Sequence, residues 1–303
     1  MLADRINMMR ITPLFALLFC LSAQADYQAG KDAQQGGDFA RAAKEYTESA
    51  NQGDVRAQTE LGSMYERGEG VTADYTRAQF WYKKAADKGY MPAQTSLGYL
   101  YERGLGVPRD YTQAMQWYRK AADKGYALAQ NNVGVLFENG WGVKQDFGKA
   151  VEWYRKGVDQ NLPLAQTNLG FLYAEGRGVP KDDNQAVLLY RKAADAGFPQ
   201  GQNNLGYMYA SGRGLKQDFD AARSWYEKAA KEGNGQAMLN LALMYQNGRG
   251  VKQDSARAID WLTRAGNLGY RPAIQRLIKV YRQGLWGEKQ DEAAAADWEK
   301  KLT

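Results

Sequence analysis

The sequence predicts an all-α fold, a right-handed superhelical solenoid of stacked antiparallel helix pairs. Three observations carry that prediction. A Leu-Gly pair recurs every 36 residues (Leu61-Gly62, Leu97-Gly98, Leu169-Gly170, Leu205-Gly206), with Val133-Gly134, Leu241-Ala242 and Leu277-Ile278 in the same slots. A Gly-x-Gly follows in step, from Gly68/Gly70 to Gly248/Gly250, and then an Asp, from Asp74 to Asp254. A Trp-Tyr pair or a relative completes each copy, from Trp81-Tyr82 to Trp261-Leu262. Self-similarity at a period of this size means stacked supersecondary units, none of which buries its apolar face alone.

Each copy reads as two helices. Ala57, Leu61, Met64 and Tyr65 fall on one face of a 3.6-residue period. Gly68 offers the positive φ that ends this helix, and Gly70 allows a tight turn. Asp74 stands where its side chain can cap the next helix, ahead of the apolar period Ala78, Trp81, Tyr82 and Ala85. Gly89 ends that helix. The small residues Ala57, Gly62, Ala78 and Ala85 are expected to let paired backbones approach closely, with Tyr65 and Trp81 filling gaps between units. Such contacts are local, so the array need not divide into separate domains.

The ends depart from the pattern. Residues 26–56 read as an N-terminal capping helix pair: Tyr27 to Gln35, then a helix carrying Phe39, Ala42, Ala43 and Tyr46, without the Gly-x-Gly insertion. Six copies occupy residues 57–272, and residues 273–303 read as a degenerate repeat and C-terminal cap. Residues 1–25 read as a secretory signal. Arg10 precedes the apolar stretch Ile11 to Leu21, too short to span a bilayer, and Ala23-Gln24-Ala25 gives a cleavage site. The start codon is open between Met1, Met8 and Met9. Phe19 stands before Cys20 where lipoprotein signals have a small residue, so soluble release after Ala25 is the expectation. Cleavage removes the one cysteine, so disulfides do not stabilise the exported chain.

The pattern Ala-x-x-x-Leu-Gly-x-Met/Leu-Tyr-x-x-Gly-x-Gly-Val-x-x-Asp-x-x-x-Ala-x-x-Trp-Tyr-x-Lys-Ala-Ala resembles the Sel-1-like repeat, a relative of the tetratricopeptide repeat. Lys156-Gly157-Val158 and Asn161 depart from it, making Val151–Leu162 the least regular internal stretch. The resemblance implies a TPR-like solenoid that binds another protein, in a family known mostly for adaptors, regulators and inhibitors, several of them bacterial and exported. Two roles follow for a periplasmic protein. One is an adaptor or regulator engaging an envelope-complex component. The other is an immunity protein that caps a toxic, lipase-type secreted effector. An enzyme acting on cell wall or β-lactams is a distant third.

Chemistry argues against that third role. The chain has no histidine, hence neither the commonest general base nor the commonest metal ligand. After cleavage it has no thiol, and no Ser-x-x-Lys occurs. Each Gly-x-Gly follows a helix and lacks the downstream residues of a phosphate loop. Asp182 is better explained as a helix cap than as part of a cation site. Glu66, Glu102 and Glu138 share one repeat position; equivalent residues in adjacent repeats lie roughly 18–20 Å apart, too far for paired-carboxylate catalysis. They read as a solvated acidic edge. No catalytic residue, cofactor or metal site is expected. Without residues 1–25 the formal charge of +6 becomes +5, spread over the repeats and much of it on Lys-Ala-Ala lysines that suit solvated helix ends, so no nucleic-acid partner is expected. No transmembrane segment is expected after signal cleavage.

Recognition then falls to the concave face, which the first helix of each pair lines in tetratricopeptide-like solenoids. Before Leu-Gly stand Glu60, Ser96, Asn132, Asn168, Asn204, Asn240 and Arg276. The four asparagines form an amide ladder that either pairs with a partner's backbone or bonds neighbouring helices. After Leu-Gly stand Ser63, Tyr99, Val135, Phe171, Tyr207, Leu243 and Lys279. Tyr99, Val135, Phe171, Tyr207 and Leu243 join the four asparagines as candidate partner-binding residues. The near-invariant series Tyr65, Tyr101, Phe137, Tyr173, Tyr209, Tyr245 and Tyr281 is assigned to the core. Trp141 is an additional candidate, with packing as its alternative role.

Overall fold

The computed structural model describes residues 27–302; the signal segment read at residues 1–25 lies outside them. The described residues are helical and contain no strand. They form two compact units, one ending at Gln145 and one beginning at Asp146. Contacts limited to sequence neighbours permit such a division. The first unit holds α1 (27–35), α2 (Phe39–Asn51), α3 (Val55–Arg67), α4 (Tyr75–Asp87), α5 (Met91–Arg103), α6 (Tyr111–Ala122) and α7 (Ala127–Asn139). The second holds α8 (Phe147–Asp159), α9 (Pro163–Glu175), α10 (Asp183–Asp195), α11 (Pro199–Ser211) and α12 (Phe219–Lys231). It continues with α13 (Gly235–Asn247), α14 (Ser255–Asn267), α15 (Arg271–Gln283) and α16 (Glu292–Glu299).

Local chemistry sets the helix ends. Asp74 caps α4 by accepting from the backbone N–H groups of Thr76 and Arg77, and Asp110 caps α6 in the same way. The first helices end on glycine, with Gly68 and Gly104 left-handed at φ 71° and 70°. Asn161 takes φ 58° where other repeats place glycine, a conformation asparagine tolerates better than most residues. Gly70 has a second reason to be glycine. A Cβ there would sit 2.1 Å from the Phe39 carbonyl oxygen at the start of the preceding helix pair's second helix. The loop packs on backbone, which accounts for its glycines without a ligand.

The Leu-Gly glycine is not a backbone-to-backbone spacer. A Cβ on Gly62 would lie 2.7 Å from the Tyr82 ring, and one on Gly98 equally close to Tyr118. The glycine makes a seat for the aromatic ring of its own repeat's second helix. Tyr46 uses the same seat against Gly30, so the N-terminal pair packs as the repeats do. In the sixth copy the pair changes together: Ala242 faces a core holding Leu262 where earlier repeats have tyrosine, and both are fully buried.

The tyrosine series from Tyr65 to Tyr281 is half-buried, which corrects its assignment to the core. Met64, Leu100, Leu136, Leu172, Met208, Met244 and Val280, one residue earlier, hold the buried positions. Tyr65 packs against two successive clusters, one containing Tyr46 and Leu61, the other Tyr82 and Leu97. Arg77 donates to its hydroxyl at 3.2 Å; Arg155 and Arg191 donate to Tyr173 and Tyr209 at 3.1 and 2.6 Å. Constancy at this position reflects the joint between neighbours. The lysines in the Lys-Ala-Ala column also do more than end helices, Lys156 of Lys156-Gly157-Val158 included. Lys120, Lys156 and Lys228 lie 3.6–3.9 Å above the rings of Trp117, Trp153 and Trp225, each contact contributing about 0.5–1 kcal/mol at an exposed site.

One periodic clip was not anticipated. Gln58, Gln94, Gln130 and Gln202 each donate a side-chain N–H to a carbonyl near the end of the preceding helix: Ala50, Ala86, Ala122 and Ala194, at 2.9–3.4 Å. The side-chain oxygens of Gln58, Gln94 and Gln202 are buried without a partner among the described residues. In the last two copies Met238 and Ile274 stand in this column, both buried.

Candidate binding face on the first helices

The residues after Leu-Gly project from the first helices. Tyr99 on α5, Phe171 on α9 and Tyr207 on α11 are 38%, 39% and 48% exposed, whereas Val135 and Leu243 are half-buried. Large aromatic side chains with this much open surface, one residue past a fully buried seam, are the usual anchors of protein interfaces. Arginines border two of them: Arg103 lies 5.9 Å from the Tyr99 ring centre and Arg177 5.4 Å from that of Phe171.

The asparagine ladder is largely engaged inside the molecule. Asn131 and Asn203 donate to Asn132 and Asn204 at 3.3 and 3.1 Å, and Gln200 donates to Asn204 at 2.9 Å. Asn240 donates to Asn203 at 2.9 Å. Of these bonds, the one from Asn240 to Asn203 joins two first helices, and the other three lie within one helix. Asn168 is engaged as well. Trp141 stacks on Tyr111 with ring centres 5.2 Å apart and an interplanar angle of 22°, which is packing.

The glutamate row is not a solvated edge, a correction to the sequence reading. The Tyr82 hydroxyl donates to Glu66 at 2.8 Å, and the Tyr118 hydroxyl donates to Glu102 at 2.8 Å. Burial, reinforced by the adjacent carboxylate, pushes both tyrosines well above their ordinary ionisation range. The second unit changes this column to Ala174 and Ala210, and space opens. A cavity of about 230 Å³ is lined by Phe171, Ala174, Tyr190 and Arg213, and one of about 330 Å³ by Tyr207, Ala210, Tyr226 and Arg249. The middle residue of Gly-x-Gly changes too, from Glu69, Leu105 and Trp141 to Arg177, Arg213 and Arg249. Arg213 is spoken for, with Asp183 at 2.7 Å and the Ala174 carbonyl at 2.6 Å. Asp182 caps α10. Reading the glutamate and loop columns down all repeats is the signal that finds these differences.

No helix among the described residues is long and apolar enough to cross a membrane. Fold and face together define a helical-repeat scaffold of the class that works by protein interaction. The chain belongs to the Sel1 repeat family, whose model matches residues 55–90, 92–126, 127–162, 163–198, 199–234 and 235–270. It is similar to c5321, a protective antigen of uropathogenic Escherichia coli strains, at 32% identity and a TM-score of 0.66. That match covers 95% of this chain but 62% of the other, so the chain spans under two thirds of that protein's length. A Sel1 repeat protein from Oxalobacter formigenes is 33% identical over 79% of this chain and 96% of its own, with a TM-score of 0.71. The immunity protein Pa5087 from Pseudomonas aeruginosa shares the fold at 22% identity over 69% of this chain and 80% of its own, with a TM-score of 0.55. No curated protein sequence gives a significant match.

Proposed function

We propose that this is an exported, non-catalytic protein-binding repeat protein of the periplasm, acting as an adaptor, regulator or inhibitor through the first-helix face. The observation that carries the reading is the exposure of Tyr99, Phe171 and Tyr207, each one residue past the Leu-Gly pair of its own first helix. Their identity drifts between repeats while the seats and caps around them stay constant, as expected of a surface read by a specific partner. Copurification from the native envelope would identify the partner. Phe171→Ala and Tyr207→Ala should then weaken binding by about 2 kcal/mol or more, with thermal stability shifted by about 0.5 kcal/mol or less. Full affinity in both variants would overturn the face. Export is tested by the intact mass of the native protein, which should begin at Asp26. The purified protein should hydrolyse neither β-lactams, peptidoglycan nor phospholipid.

A second reading is an immunity protein for a secreted, lipase-type effector. The fold shared with an immunity protein of Pseudomonas aeruginosa supports it. A toxin gene beside this one, with survival of the toxin restored by co-expression, would favour it over the adaptor.

A further inference from the structure

In the first unit, the hydroxyl of a repeat's buried tyrosine donates a hydrogen bond to a glutamate on the same repeat's first helix, as Tyr82 does to Glu66 and Tyr118 to Glu102. In the fifth repeat that glutamate is Ala210, but the tyrosine remains. Tyr226 is 2% exposed, and its hydroxyl has no hydrogen-bond partner among the described residues. It lines the cavity of about 330 Å³ bounded by α11, α12 and α13. Arg249 lines the same cavity and has no ion-pair partner among the described residues. None of the lining residues is acidic. The neighbouring cavity beside Phe171 differs: its Arg213 is held by Asp183.

We infer that the α11–α12–α13 cavity binds a carboxylate presented by the protein partner, an aspartate or glutamate side chain, with the Tyr226 hydroxyl and the Arg249 guanidinium as donors. The partner supplies in trans the group that Glu66 and Glu102 supply within the chain. Tyr207 and Leu243 border the site, so the acidic residue enters beside an apolar contact. Burial keeps the Tyr226 hydroxyl protonated far above neutral pH, hence always a donor. The volume is at the small end of ligand clefts, about 300–1,000 Å³, and suits one side chain. A carboxylate is preferred to a phosphate because two repeats of this chain already show it as the acceptor for this hydroxyl.

This inference rests on the first-helix face being the binding face, and the test separates the two. Short random peptides displayed on phage are selected against the described chain, and each binder is measured on Phe171→Ala, Arg249→Gln, Tyr226→Phe and Ala210→Glu variants. Selected peptides should be enriched in Asp or Glu. Arg249→Gln should weaken them about tenfold, as loss of a charge-assisted bond does, and Tyr226→Phe should weaken them with the ring seat intact. Ala210→Glu should abolish binding by restoring the internal acceptor, while helicity is kept and the melting temperature rises. Binders that are lost on Phe171→Ala but indifferent to acidity and to Ala210→Glu would overturn the carboxylate site and leave the face standing. Failure to recover any binder sensitive to Phe171→Ala would overturn both.

Discussion

The two units are built from the same repeat, yet they treat one buried hydroxyl differently. Residues 27–145 satisfy Tyr82 and Tyr118 with internal carboxylates; residues 146–302 place alanines opposite Tyr190 and Tyr226 and set arginines on the loops above. Both units keep the glycine seat beneath the ring, with Gly98 and Gly206 each leaving room for no Cβ. The comparison separates what holds the fold from what decorates it. Seat and ring change only together, as at Ala242 and Leu262, whereas the glutamate changes while both stay. Where it is absent, the surface gains a cleft and a positive charge.

The comparison can be broken most forcefully by alkali. Tyr82, Tyr118, Tyr190 and Tyr226 all have folded-state ionisation raised by burial. A raised value favours the neutral form in the fold, so stability is complete below pH 10.0, the ordinary tyrosine value, and falls as pH climbs above it. Each such tyrosine withdraws about 1.4 kcal/mol per pH unit. Helicity and tyrosinate absorbance should therefore change together in a steep transition. Ionisation of these tyrosines with helicity intact would refute their burial.

Removing a ring comes next. Tyr118→Ala should cost about 3–5 kcal/mol of stability by denaturant titration, whereas the half-buried Tyr101→Ala should cost about 1–2 kcal/mol. Equal costs would restore the assignment of Tyr101 to the core. Gly98→Ala should cost about 1–3 kcal/mol by crowding the ring. Combining it with Tyr118→Leu should recover part of that loss, as the Ala242 and Leu262 pair suggests; strictly additive losses would show that seat and ring are uncoupled.

Glu102→Ala should destabilise the first unit by about 1–3 kcal/mol, since it leaves the Tyr118 hydroxyl short of its acceptor. A neutral outcome would erase the difference between units. The smallest effect is expected for Gln94→Met. It loses one bond to Ala86 but removes a buried oxygen without a partner, so the change should stay within about 1 kcal/mol.

Much of this architecture is legible in the chain because it depends on local rules. Positive φ at Gly68, capping by Asp74 and the apolar period of Ala57, Leu61 and Met64 are properties of a few consecutive residues, and repetition makes each visible several times over. The repeat therefore announces helix pairs, their ends and their stacking before any coordinate is known. Exposure of Phe171 and Tyr207 was legible for the same reason, since variation in one column against constancy in its neighbours separates surface from seam.

Other features depended on how helices meet, which no single period encodes. Tyr65 and Leu61 share a helical face, yet the tyrosine lies at the joint between clusters and Met64 in the core, because rotation about the helix axis is set by its neighbours. Glu66 looked solvated until the fold brought the Tyr82 hydroxyl to 2.8 Å. The Gln58 clip spans two helices and ends on a carbonyl that any residue could supply. The cleft beside Tyr226 arises from a side chain that is missing at Ala210, and only packed neighbours turn that absence into space. The sequence determined which backbone is made and where its helices stop; tertiary structure decided which polar groups are satisfied within the chain and which are not.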